Sequence, residues 1–133
     1  MPTALLLIAH GSRRPEANAD LEFVAAALRA RGQYPIVAVA YLELAEPSIA
    51  AGGARCAEAG ATDVILVPYF LSPGIHVAED LTAARDELSA TFPAVRFALA
   101  RPLGRHPLLI EVVEQRAAEV TRTTPAPPPR GGA

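Results

Sequence analysis

Three side chains that can bind metals or accept protons stand shortly after apolar segments of the chain. They are His10, Glu43 and His76. Imidazole and carboxylate groups suit divalent metals such as Co²⁺, Ni²⁺, Fe²⁺ and Zn²⁺, and both groups can act as general bases. No local motif such as HExxH joins the three residues, so each of them could instead have a structural role. Glu46 could also be the acidic residue of the site in place of Glu43. Their types indicate a metal site with nitrogen and oxygen ligands.

Hydrolytic and nucleotide-binding chemistry has less support in the sequence. Ser12 lies near His10, but no GxSxG turn surrounds it. The pair Gly52-Gly53 lacks the lysine and hydroxyl residue of a phosphate-binding P-loop. Histidine phosphatases carry an arginine immediately before their histidine, where this chain has Ala9. A phosphatase-like hydrolase is therefore the weaker alternative.

Four arginines fall near the same segments and could bind carboxylates, because a guanidinium group matches a carboxylate in a bidentate manner. They are Arg13, Arg14, Arg101 and Arg105. The alternative is that they are surface charges that increase solubility.

The apolar segments predict four β-strands, at residues 4–8, 36–42, 64–68 and 95–99. Five consecutive apolar residues at 4–8 are typical of a strand that is buried on both faces of a parallel sheet. Helical spacing predicts one helix that carries Leu21 and Leu28 and stops at Gly32, and further helices at residues 49–59, about 78–90 and 107–120. Gly52 and Gly53 in the second helix indicate either close packing or a local break.

This alternation predicts an α/β fold of three layers, in which helices cover both faces of a four-stranded parallel sheet. Parallel strands end at the same edge of a sheet, and α/β proteins bind their ligands outside that edge. We therefore expect His10, Glu43, His76 and the four arginines on one rim.

The 133 residues suit one domain, which we place at residues 1–122, followed by a disordered proline-rich tail at residues 123–133. The chain has no apolar run long enough to cross a membrane and no signal-peptide pattern, so we expect a cytoplasmic protein without a membrane partner. The formal net charge of −2 provides no basic surface for nucleic acid. Cys56 is the only cysteine, which excludes a disulfide or a thiolate metal cage within one chain.

Three separated motifs resemble the sirohydrochlorin chelatases, the CbiX and SirB group of small class II chelatases. They are LLLIAHGSR at the N-terminus, YLELAEPSI after the second predicted strand and VPYFLSPGIHVAEDL after the third. The resemblance covers about residues 4–120. It implies a chelatase-like fold and an enzyme that inserts cobalt, iron or nickel into the tetrapyrrole sirohydrochlorin. The product would serve the biosynthesis of cobalamin, sirohaem or a nickel cofactor. The metal is then a substrate, and no permanently bound cofactor is expected.

The resemblance also implies roles for individual residues. His10 of the AHGS motif, Glu43 after the second strand and His76 of the PGIH motif would bind the incoming metal and accept pyrrole protons. The eight carboxylates of sirohydrochlorin give the four rim arginines a role in substrate binding. The flat ring would pack against apolar loop residues, namely Tyr69, Phe70, Leu71 and Ile75.

Longer members of this family have two fused domains that bind the ring between them, whereas this chain is one unit. We therefore expect a symmetric homodimer whose strand-end rims face each other, because two-fold dimers are the commonest closed assembly. The alternative from another class is a non-catalytic carrier of metal or tetrapyrrole, which would have the same sequence features.

Overall fold

The computed structural model describes residues 2–121, which alternate strands with helices along the chain. The elements are β1 (Thr3–Ala9), α1 (Pro15–Arg31), β2 (Ile36–Tyr41), α2 (Ile49–Glu58), β3 (Asp63–Pro68), α3 (Ile75–Thr91), β4 (Arg96–Leu99) and α4 (Pro107–Val120). The predicted α/β class with four strands and four helices is confirmed.

The four strands form one sheet in the order β2-β1-β3-β4, and every neighbouring pair is parallel. β1 is paired on both sides, since Leu6 lies opposite Ala38 of β2 and Leu66 of β3. The loop that follows β1 therefore lies between the loops that follow β2 and β3. This order places His10 at the centre of the rim.

Helices cover both faces of the sheet, as predicted. On one face, Leu5 and Leu7 of β1 pack in a buried cluster with Leu21 of α1. On the other face, Leu6 of β1 belongs to a cluster that includes Leu88 of α3. Successive strand residues point to opposite faces, so a strand covered on both faces has to be apolar at every position.

Gly52 and Gly53 allow close packing and do not break α2, which runs without interruption from Ile49 to Glu58. A Cβ atom on Gly52 would lie 3.0 Å from Leu6 Cδ1, and one on Gly53 would lie 2.5 Å from Leu88 Cδ1. The two glycines therefore let α2 approach the sheet and α3 closely.

The third helix begins earlier than the sequence indicated. We placed its start at about residue 78, but α3 begins at Ile75, with Gly74 at the N-cap in an extended conformation. The amide of Ala78 donates a hydrogen bond of 3.0 Å to the carbonyl of Gly74. Gly74 offers no side-chain cap, so the usual sequence signal of a helix start is missing. His76 consequently lies in the first turn of α3 and not in the preceding loop.

The described residues fall into two compact units that divide between Leu103 and Gly104. The second unit contains α4, which is capped by His106, whose Nδ1 accepts a hydrogen bond of 3.1 Å from the amide of Leu108. The single domain placed at residues 1–122 stays a prediction, and the tail predicted at residues 123–133 lies outside the described residues. No helix between residues 2 and 121 is long and apolar enough to span a membrane.

Candidate metal-binding site

His10 and Glu43 form the central pair of the candidate site. The Nε2 atom of His10 lies 3.0 Å from Oε2 of Glu43, and the two side chains are 54% and 57% exposed. An ionised carboxylate only accepts hydrogen bonds, so Nε2 carries the ring proton when this bond forms. The pair places an imidazole ring and a carboxylate side by side at the surface, and the other candidate carboxylate, Glu46, makes no ion pair with a residue of the described chain.

The backbone around this pair continues the contact between β1 and β2 beyond the strands themselves. The amide of Leu42 donates to the carbonyl of Ala9 at 3.0 Å, and the amide of Glu43 donates to the carbonyl of His10 at 3.1 Å. Gly11 follows with φ at +100°, and a Cβ atom on it would overlap the carbonyl oxygen of Glu43. Only glycine accepts both this conformation and this approach. The Gly11 turn therefore brings His10 and Glu43 together.

Phe70 contacts His10 from the β3 side. The ring centroids are 6.4 Å apart and the ring planes are at 85°, which is an edge-to-face arrangement. The loop is tied to β1, because the amide of Tyr69 donates to the carbonyl of Ile8 at 2.7 Å. Phe70 is partly buried against the core, whereas Tyr69 remains 38% exposed. Phe70, expected to contact substrate, thus also restricts the His10 imidazole.

Exposed apolar side chains follow β2 and β3 on the same rim. Leu44, Leu71 and Ile75 are 51%, 65% and 75% exposed. Leu44 has φ at +65°, a conformation that is strained for a bulky residue. Strain of this kind is concentrated at functional sites. Sequence reasoning missed Leu44, because no residue type marks a left-handed leucine.

His76 is not part of the His10 and Glu43 pair in this structure. Its side chain is 98% exposed, and its Nδ1 lies 3.8 Å from Oε1 of Glu79 on the same helix. Within residues 2–121, no group of three or more histidine, cysteine, aspartate or glutamate side chains is close enough to hold a metal ion. The structure therefore brings together two of the three predicted ligands.

The four candidate arginines are exposed and form no ion pair with a carboxylate of residues 2–121. Arg13 and Arg14 lie between β1 and α1, where Arg14 is the N-cap residue of the helix. Arg101 follows β4, and Arg105, with φ at +64°, belongs to the unit that begins at Gly104. The guanidinium groups of the first unit are thus available to a ligand.

Asn18 is a second residue that sequence reasoning missed. Its Oδ1 accepts a hydrogen bond of 3.0 Å from the amide of Ser12, and its Nδ2 donates one of 2.8 Å to the carbonyl of Ser12. The Tyr41 hydroxyl donates to the carbonyl of Asn18 at 3.1 Å. Burial, together with the negative charge of Glu22, raises the pKa of Tyr41, so this phenol stays protonated and donates. Asn18 is the only asparagine of the chain, and this residue type often binds nearby backbone groups.

Cys56 takes no part in the site. It is buried in the core cluster between the sheet and α2, and burial raises the pKa of its thiol to about 11. A thiol with this pKa is protonated at neutral pH and is a poor metal ligand.

The sequence model of the CbiX family matches residues 4–120. The chain belongs to the CbiX family. It is 38% identical over 112 residues to the chloroplastic sirohydrochlorin ferrochelatase of Arabidopsis thaliana, an alignment that covers 84% of this chain and 50% of that protein. This match confirms the predicted family.

Two solved structures resemble this CbiX family member closely. A CbiX protein from Marinobacter aquaeolei VT8 superimposes with a TM-score of 0.76 at 31% identity, over 89% of this chain and 96% of that one. The sirohydrochlorin chelatase SirB from Bacillus subtilis subspecies spizizenii, in complex with cobalt, gives 0.82 at 27% identity, over 90% of this chain and 51% of that one. The chain spans half or less of the length of several curated relatives that it matches.

Proposed function

We propose that this CbiX family member inserts a divalent metal into sirohydrochlorin, with cobalt as the first expectation and iron or nickel as alternatives. The observation that carries the proposal is the pair of His10 and Glu43, 3.0 Å apart and more than half exposed, at the centre of the sheet's carboxyl edge. The pair combines a metal-binding nitrogen with carboxylate oxygens. Structural relatives of the same fold include a chelatase in complex with cobalt.

Metal insertion requires that two protons leave the pyrrole nitrogens while the metal enters. In this proposal, the neutral His10 ring moves its proton from Nε2 to Nδ1 by exchange with water, and the freed lone pair of Nε2 then binds the metal. The carboxylate of Glu43 accepts the two pyrrole protons one after the other and passes each to solvent, since its side chain is more than half exposed. An open site with few ligands also allows the metal to leave for the ring, unlike a closed site with four ligands.

We propose His76 as the second metal ligand. The strand order supports this role, because β3, which leads to His76, is the direct neighbour of β1, which leads to His10. The His76 side chain is 98% exposed, so a change of rotamer meets little steric resistance. His76 would approach the metal when metal and ring are both present.

The rim would bind the substrate through charge and apolar contact. Arg13, Arg14 and Arg101 are exposed and could each pair with a carboxylate of sirohydrochlorin, and Arg105 is proposed for the same role from its position in the sequence. The ring plane would lie on the apolar side chains of the loop after β3 and the start of α3. These are Tyr69, Phe70, Leu71 and Ile75.

A symmetric homodimer would supply the second half of the substrate cleft. The exposed apolar side chains of Leu44, Leu71 and Ile75 on the rim support this proposal. Light scattering coupled to size exclusion tests it. A monomer that retains full activity would contradict it.

The function is tested by mixing purified protein with sirohydrochlorin and Co²⁺, Fe²⁺ or Ni²⁺ and following the absorbance of the free tetrapyrrole. We expect many turnovers per protein with at least one metal. Loss of free tetrapyrrole that stops at one equivalent would favour the carrier alternative. Release of phosphate from a generic phosphoester would favour the hydrolase.

Variants of the three proposed ligands test the site within the same assay. We expect His10→Ala, His76→Ala and Glu43→Gln each to lower the rate by about 100-fold, because each loses a ligand or a base. Glu46→Gln is the matched control for Glu43, and His106→Ala, which removes only the cap of α4, is the control for the histidines. Near wild-type rates in both His10→Ala and His76→Ala would overturn the assignment.

A further inference from the structure

We propose that Asn18 is a positioning residue that fixes the His10 imidazole for metal insertion, an inference that rests on the proposed function of His10. Asn18 lies in the first turns of α1 and is only partly exposed. Its amide group makes both of its hydrogen bonds to the backbone of Ser12, at 3.0 and 2.8 Å. The side chain therefore holds the loop after β1 through both of its polar atoms.

The backbone of His10 is held from two directions. On the side of β2, the amide of Glu43 donates to the carbonyl of His10 at 3.1 Å. On the side of α1, Asn18 holds Ser12, which is separated from His10 only by Gly11. Because Gly11 has no side chain to restrict it, the conformation of this turn depends on the contacts on either side.

The contacts close into a ring through Tyr41. Its hydroxyl donates to the carbonyl of Asn18 at 3.1 Å, and its Cβ lies 3.2 Å from the place where a Cβ on Gly11 would be. Tyr41 is the last residue of β2 and precedes Glu43 by two positions. Asn18 thus connects the loop that carries His10 to the end of the strand that leads to Glu43, and we infer that it maintains the distance of 3.0 Å between the His10 and Glu43 side chains.

Asn18→Asp tests this inference with little change in shape. The aspartate keeps an acceptor for the amide of Ser12, but it places a carboxylate oxygen against the carbonyl of Ser12, where Asn18 donates. Residues that orient metal ligands typically contribute about 10 to 100-fold to metal affinity or activity. We therefore expect kcat for metal insertion to fall by about tenfold, with KM for sirohydrochlorin changed by less than about twofold.

Arg29→Met provides a matched control on the same helix. Arg29 also makes two side-chain hydrogen bonds to one backbone residue, since its Nε and Nη2 donate to the carbonyl of Val37 at 3.0 and 2.8 Å. Val37 lies near the start of β2, at the opposite end of the strand from Glu43. We expect Arg29→Met to lower the melting temperature about as much as Asn18→Asp, with kcat unchanged. Equal effects of the two variants on kcat would overturn the proposal.

A measurement without substrate separates this proposal from the proposed function. Nuclear magnetic resonance at one fixed pH follows the His10 ring signals, assigned with His10→Gln, and the exchange rate of the Ser12 amide. In Asn18→Asp we expect the His10 signals to shift or broaden and the Ser12 amide to exchange faster, with neither change in Arg29→Met. Unchanged His10 signals in Asn18→Asp would refute the positioning role even if activity falls. If the wild-type protein shows no metal insertion, the proposed function is refuted, but the NMR signals of His10 still decide whether Asn18 positions its ring.

Tyr41→Phe keeps the proposal testable if Asn18→Asp does not fold. It removes one hydroxyl and only the hydrogen bond to the carbonyl of Asn18. We expect the same shift of the His10 signals and a smaller fall in kcat, of about two to threefold. Wild-type signals and wild-type kcat in this variant would also count against the proposal.

Discussion

Gly11→Ala is the substitution that tests most directly how the fold holds the candidate site together. Gly11 has φ at +100°, and an added methyl group would overlap the carbonyl oxygen of Glu43 and lie 3.2 Å from Tyr41 Cβ. The backbone at Glu43 has to move away, because the overlapping atom belongs to the main chain and not to a flexible side chain. The movement weakens the hydrogen bond of 3.1 Å between the amide of Glu43 and the carbonyl of His10.

Three contributions add up to the expected loss in the free energy of unfolding of Gly11→Ala. A left-handed conformation costs a residue with a side chain roughly 1–2 kcal/mol. Overpacking against a fixed neighbour adds about 1–3 kcal/mol, and the weakened hydrogen bond adds about 1 kcal/mol. We therefore expect Gly11→Ala to lower the free energy of unfolding by about 3–6 kcal/mol, which is less than the roughly 10 kcal/mol expected for a domain of this size.

Gly60→Ala separates the cost of the left-handed backbone conformation from the cost of steric overlap. Gly60 has φ at +101°, but a Cβ on it would meet no atom within 4 Å. Urea unfolding should therefore show a loss of only about 1–2 kcal/mol in this variant. Metal insertion per folded molecule should fall about 100-fold in Gly11→Ala, because a displacement of about 1 Å at a reacting group can have that effect, and stay near wild type in Gly60→Ala. Equal losses of stability and activity in the two variants would refute the reasoning.

Two further predictions concern the core. Since burial raises the pKa of Cys56 from 9.0 to about 11, the folded state keeps a proton that the unfolded state releases, and the free energy of unfolding should fall by about 2–3 kcal/mol as the pH rises from 9.0 to about 11. Urea unfolding at both pH values checks this, and Cys56→Ala should remove that part of the decline. Gly53→Ala should lower the free energy of unfolding by about 1–3 kcal/mol, because its methyl group would lie 2.5 Å from Leu88 Cδ1. Thermal unfolding measures it, and Gly53→Ala should cost less stability when it is introduced into Leu88→Ala, where the crowded side chain is absent, than into the wild type.

Much of the fold could be predicted from the sequence because each strand is a local signal. The run at residues 4–8 is apolar at every position, and the structure buries each of them in β1. The strand order could not be predicted, since it depends on pairing between distant segments. Whether Gly52 and Gly53 break α2 also depended on Leu6 and Leu88, which lie on other elements.

The candidate site was predicted in part for the same reason. His10 and Glu43 follow β1 and β2 directly, so the positions of the strand ends determine where they lie. His76 is eight residues beyond β3, and its position depends on where α3 begins, which Gly74 does not signal. Asn18 binds backbone atoms of Ser12, six residues before it, and a backbone partner leaves no pattern in the sequence.

Because β1 is central in the sheet, the two proposed histidine ligands move on different timescales. Because β1 is paired on both sides, we expect its amides, such as those of Leu6 and Ile8, to exchange with solvent only when the domain unfolds as a whole. His10 is attached to that strand, whereas the exposed His76 side chain can change rotamer within nanoseconds. A metal bound by both would therefore be released by the rotation of one imidazole, while the sheet and His10 stay in place to receive the next ion.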